Sequence, residues 1–110
     1  METGTIRHMA LFTLKVPADS KEARAFLKDG EEILSGIPVV RQFEALRQVS
    51  AKCEYDFCFS MEFANQEDYD SYNNHPDHQA FVSERWETEV AKFQEIDLLK
   101  SFFAADCRHI

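Results

Sequence analysis

The sequence predicts an α+β fold, a ferredoxin-like βαββαβ sandwich with helices over one face of an antiparallel four-stranded sheet. Three observations predict it. Period-two alternation marks four separate segments of the chain. Helical periodicity falls between the first and second of them and again between the third and fourth. The length, 110 residues with only three Gly and three Pro, suits one domain without linkers. The expected unit is therefore a single domain over 1–110, with its core at about 6–101 and a C-terminal tail at 102–110.

Thr5 to Val16 reads as the first strand. Ile6, His8, Ala10, Phe12 and Leu14 share one face, and Arg7, Met9, Leu11 and Thr13 the other. Asp19 to Ser35 reads as a helix, with Asp19 as N-cap and Glu22 three residues on. Its buried stripe is Ala23, Phe26, Leu27, Gly30, Ile33 and Leu34. Gly30 in that stripe signals either close backbone approach or room for a ligand. Gly36 stops the helix, and Ile37-Pro38 opens an extended segment. Val39 to Val49 is the second strand, with mixed alternation.

Tyr55 to Phe63 is the third, and it alternates cleanly: Tyr55, Phe57, Phe59, Met61 and Phe63 against Asp56, Cys58, Ser60 and Glu62. Asn65 caps a short helix that ends near Asn74. Pro76 is suited to a helix's first turn, so a second helix runs from there to about Val90, with His75 at its cap position. His78, Phe81, Val82, Arg85 and Trp86 lie along one side of it. Phe93 to Phe102 reads as the fourth strand. Helices on one face leave Met9, Leu11 and Leu46 uncovered on the other, so a twofold-related copy is expected to cover them and make a homodimer.

Composition excludes several partners. The net charge is −8, and no cluster of Lys and Arg is visible, which argues against nucleic acid and against an anionic membrane surface. No apolar run approaches the roughly 20 residues that span a bilayer. The N-terminus lacks the basic and apolar blocks of a signal peptide. Cys53, Cys58 and Cys107 fit no zinc spacing and read as free thiols in a reducing cytoplasm. No Gly-rich phosphate loop or nucleophile elbow is present, and no carboxylate pattern completes a metal site around His75 and His78. Neither a metal nor another cofactor is expected.

The chemistry concentrates in Tyr72-Asn73-Asn74-His75-Pro76-Asp77-His78. Imidazole titrates near working pH, and a phenol beside it can orient it or donate to a developing oxyanion. His8 faces the helices by its parity with Phe12 and Leu14, so His8, Tyr72 and His78 converge between sheet and helices as the candidate catalytic residues. Phe26, Phe59, Met61, His75, Phe81 and Trp86 are the candidate ligand-binding residues around them. Structural roles compete: His8 as a satisfied core histidine, His75 as a helix cap, Tyr72 with its ring buried, and the aromatics as plain core.

Ile6-Arg7-His8-Met9-Ala10-Leu11-Phe12, Ile37-Pro38, Tyr72-x-x-His75-Pro76-x-His78-x-x-Phe81 and Asp97 together resemble the stress-responsive dimeric α/β-barrel (Dabb) family, over about residues 6 to 99. The resemblance implies a ferredoxin-like protomer whose sheet pairs with a second into a dimeric barrel. It implies no assigned reaction, since most members look like stress-associated proteins. The chain is also similar, at His8, Tyr72 and His78, to the family's plant polyketide cyclase. That similarity implies His78 as general base, Tyr72 holding it and polarising a carbonyl, and His8 binding substrate. Gly30 stands where the cyclase has a pocket tyrosine, and Phe59 and Met61 are bulkier than their counterparts, which implies a smaller or flatter ligand. Two readings follow: a dimeric small-molecule-binding protein without an assigned reaction, or a cofactor-free cyclase-like or monooxygenase-like enzyme. The first would hold a small apolar or phenolic ligand; the second would use His78 and Tyr72 for acid–base chemistry on a small carbonyl or phenolic substrate.

Overall fold

The computed structural model describes residues 1–100. Its elements are β1 (Ile6–Leu14), α1 (Lys21–Ser35), β2 (Arg41–Arg47), β3 (Phe57–Phe63), α2 (Gln66–Asn74), α3 (Pro76–Phe81), a π-helical stretch (Val82–Trp86), α4 (Glu87–Glu89) and β4 (Val90–Leu99). The expected tail at 102–110, Cys107 within it, and the expected end of the last strand at Phe102 lie outside the described residues. The strands stand in the order β2-β3-β1-β4, and every neighbouring pair is antiparallel, which is the ferredoxin-like arrangement.

β1 is buried at every even position from Ile6 to Leu14 and half-buried at every odd one. The even face meets the helices. There Phe12 packs on Phe26 at 5.5 Å, Phe59 at 4.8 Å and Trp86 at 5.0 Å between ring centroids. Each fully buried phenylalanine contributes roughly 1.5–3 kcal/mol through its removal from water. Register fixes the neighbours of the one imidazole on this face: His8 lies opposite Met61 of β3 and Asp97 of β4.

On the odd face Arg7 pairs with Glu62 at 2.9 Å. Met9, Leu11 and Ile96 are half-buried there, while Leu46 and Leu98 are exposed at 40% and 45%. The expected apolar surface is present, and its exposed part sits at the two edge strands.

Several boundaries differ from expectation, each for a local reason. Ser20, not Asp19, caps α1, because its hydroxyl reaches the Ala23 N–H at 3.1 Å. β2 and β3 are shorter than the alternation predicts. β2 spans only Arg41–Arg47 and carries a register shift between Arg41 and Glu44, with Gln42 at φ 52°, and Tyr55 lies before β3. β4 begins at Val90 rather than Phe93, so the second helical region ends at Glu89.

That region is not one regular helix. The Glu87 N–H donates to the Val82 carbonyl five residues back, and the Thr88 hydroxyl donates to the Glu84 and Arg85 carbonyls. Phe81 and Trp86, five apart, would point well away from each other in a regular α-helix. The wider turn brings both onto Phe26 and Phe59. Arg85, expected on the same side as Phe81 and Trp86, lies over the Phe26 ring at 5.7 Å and pairs with Asp29 of α1 at 2.6 Å and with Glu89.

Candidate functional site

A cavity of about 40 Å³ lies between the helix-facing side of the sheet and the second helical region. On this scale it has room for on the order of three waters. His8, Phe59 and Met61 reach it from the sheet. Tyr72, His78, Phe81 and Trp86 close it from the helices, and Glu95 of β4 stands at its edge.

His8 enters because β1 alternates, and it is only 4% exposed. Its Nδ1 lies 2.6 Å from Asp97 Oδ1. The Tyr69 hydroxyl donates to both Asp97 oxygens at 2.9 Å and stands 3.0 Å from the same Nδ1. An ionised carboxylate only accepts, so Nδ1 carries the hydrogen and donates it to Asp97. In the neutral ring Nε2 then holds the lone pair, 3.9 Å from Glu95 Oε1. This is the arrangement in which a carboxylate fixes the tautomer and orientation of an imidazole. Burial and the hydrogen bond to Asp97 push the Tyr69 phenol well above its ordinary value, so it stays a donor.

Tyr72 comes from the last turns of α2, where Asn65 accepts from the Asp68 N–H at 2.8 Å and starts the helix. Its ring meets both imidazoles, His78 at 4.3 Å and His8 at 6.3 Å between centroids. Burial pushes its phenol up as well, so it too remains protonated. His78 follows Pro76 in the first turns of α3, and its Nδ1 lies 3.3 Å from the Asn73 carbonyl. A carbonyl cannot donate, so Nδ1 is again the N–H and Nε2 the free nitrogen. Desolvation lowers the His78 value below 6.5 against the opposing pull of the Asn73 carbonyl and Glu95, so the ring is neutral at neutral pH. A neutral imidazole with a free Nε2 beside a protonated phenol can accept a proton and donate a hydrogen bond.

Seven of the nine expected site residues line the cavity: His8, Phe59, Met61, Tyr72, His78, Phe81 and Trp86. Two do not. Phe26 is wholly buried in the core behind it, against Phe12 and Phe81. His75 caps α3, its Nδ1 accepting from the Asp77 N–H at 3.1 Å. Gly30 serves close approach rather than ligand room, since a Cβ there would stand 2.5 Å from Phe59 Cζ. Tyr69 and Glu95 are additions that sequence reading missed, as is the pairing of Asp97 with His8. The available signal was parity: Glu95 and Asp97 share the face of Phe93, and Tyr69 lies one helical turn before Tyr72. Among the described residues, no group of three or more His, Cys, Asp or Glu side chains is placed to hold a metal ion.

A family model described as the stress responsive A/B barrel domain (Dabb) matches residues 6–99. Among solved structures, the chain is similar to a Dabb family protein with a ferredoxin-like fold from Mesorhizobium loti. The identity is 54% over 90% of this chain and 99% of that chain, with a TM-score of 0.88. It is also similar in fold to a dimeric ferredoxin-like protein of unknown function from Thermobifida fusca, at 19% identity over 90% and 93% of the two chains and a TM-score of 0.74. A hydroxynitrile lyase from Passiflora edulis shares the fold at 12% identity over 92% and 97%, with a TM-score of 0.76. No curated protein matches the chain.

Proposed function

This chain belongs to the stress-responsive A/B barrel (Dabb) domain family, and from that premise we propose that it acts as a homodimeric, cofactor-free small-molecule-binding protein. Each protomer would carry its ligand between sheet and helices, in contact with His8, Tyr72 and His78. The observation that carries the reading is the two imidazoles at one cavity, each with Nδ1 engaged by an acceptor and Nε2 left free. A core histidine kept only for packing has no need of an open space beside it. The cavity's size favours a compact ligand, such as a small phenol or β-keto compound, over an extended polyketide.

Support for the homodimer comes from the apolar odd face of the sheet and from the dimeric state of the Thermobifida fusca neighbour. Unbridged Cys53 and Cys58 accord with a reducing compartment such as the cytoplasm. Among the described residues, no helix is long and apolar enough to cross a membrane.

A second reading, proton transfer on a small carbonyl or phenolic substrate, is favoured by one further feature. Burial keeps His78 neutral and Tyr72 protonated, the states a base and a hydrogen-bond donor need. The Passiflora edulis protein that shares the fold is a hydroxynitrile lyase, so this fold accommodates an enzyme. Heteronuclear NMR titration with small phenols and β-keto compounds tests the site itself. Shifts are expected at His8, Tyr72, His78 and the Trp86 indole; shifts confined to other surfaces would place the ligand elsewhere.

A further inference from the structure

His8 Nε2 and Glu95 Oε1 stand 3.9 Å apart. That is too far for a hydrogen bond between them. With the His8 Nδ1–H given to Asp97, both atoms are acceptors, and the pair lies at the edge of the cavity. A single group that satisfies both must bring at least two hydrogens. An amine or ammonium nitrogen does so; a carbonyl, nitrile, ether or carboxylate has nothing to donate.

Charge points the same way. Glu95 and, behind His8, Asp97 place carboxylates on this side, and no lysine or arginine among the described residues lines the cavity. A cation there offsets the carboxylates, whereas an anion is repelled. Apart from His78, the remaining walls are apolar or aromatic: Ala10, Leu34, Met61 and Val82 with the rings of Phe59, Tyr72, Phe81 and Trp86. Such walls suit the short carbon chain of a ligand whose charged end lies at the carboxylate. The Glu95 side chain is 57% exposed and that of His8 5%, so the pair reaches inward from the surface and a charged ligand from water meets Glu95 first.

We propose that the pocket selects small primary amines, bound as the ammonium ion between His8 Nε2 and the Glu95 carboxylate with the carbon chain against Tyr72, Phe81 and Trp86. The assignment rests on the small-molecule pocket proposed above and names its ligand class. Glu95 is then the residue that sets specificity, by charge, while His78 and Tyr72 face the inner part of the same ligand. The size of the cavity restricts the buried part to a few heavy atoms.

The test is an NMR titration of the full chain with ethylammonium chloride, ethanol and sodium propionate at constant ionic strength and pH 7.5. Ethylammonium is expected to shift the His8, Tyr72 and Trp86 signals and to bind at least tenfold more tightly than ethanol, with propionate weaker still. Glu95→Gln keeps the shape and one acceptor but removes the charge. It is expected to weaken ethylammonium at least tenfold, while Glu31→Gln, an exposed acid on α1, leaves it unchanged. Equal affinity for the three probes, preference for propionate, or equal losses in the two variants would overturn the assignment. So would ethylammonium shifting nothing. In each of those cases, shifts of His78 and Tyr72 by phenols or β-keto compounds would show that the pocket reading survives without the amine.

Discussion

At His78 two influences oppose each other: burial disfavours the imidazolium, and the Asn73 carbonyl favours it. Burial is the larger, so the folded chain holds this group below its ordinary value of 6.5. As pH falls below 6.5, the unfolded chain takes up the proton first, and stability falls with it. The contribution is therefore complete above 6.5 and is lost below it, as pH moves toward the folded value. Urea unfolding between pH 7.5 and 5 should show wild type losing stability relative to His78→Gln; parallel curves would remove burial as the dominant influence. His8, Tyr72 and His78 were legible in the sequence because imidazoles and phenols on apolar stripes need partners. Their actual partners were not. Asp97 meets His8 across 89 residues of chain, a contact that exists only once β4 pairs with β1. Glu95 reads as a solvated strand residue until that pairing turns it toward the cavity.

Helix α1 shows how an element serves the site without touching a ligand. Its Gly30 lets Phe59 approach so closely that an added Cβ would meet Cζ at 2.5 Å and Cε2 at 2.8 Å, with Phe81 at 3.3 Å. Gly30→Ala gains up to about 1 kcal/mol in helix propensity, but forcing Phe59 from its place costs about 1–3 kcal/mol. A net loss in urea midpoint is expected, together with displaced Phe59 and Phe81 resonances at the cavity. An unchanged midpoint and spectrum would mean the ring yields freely. Elements were legible where side-chain chemistry marks them, as with Asn65 and His75 at their caps. The π-helical stretch was not, because Val-Ser-Glu-Arg-Trp is ordinary helical composition and the wider turn comes from packing Phe81 and Trp86 on the same core.

Across the whole molecule, order and periodicity suffice for the ferredoxin-like sheet, since short connections and alternation leave few ways to bury the even face of β1. The same pattern leaves the odd face apolar, and a twofold partner is expected there. Light scattering should give wild type twice the 12.8 kDa chain mass and return Leu46→Glu/Leu98→Glu to one chain. Both leucines are exposed in the protomer, so its fold tolerates the change. A wild-type mass of one chain would remove the dimer. Whether His78 with Tyr72 holds a small molecule between sheet and helices is decided by thermal shift of wild type and His78→Ala against small phenols and β-keto compounds. A rise in wild-type melting temperature with at least one compound is expected, and its loss in His78→Ala. The same rise in both proteins would contradict it.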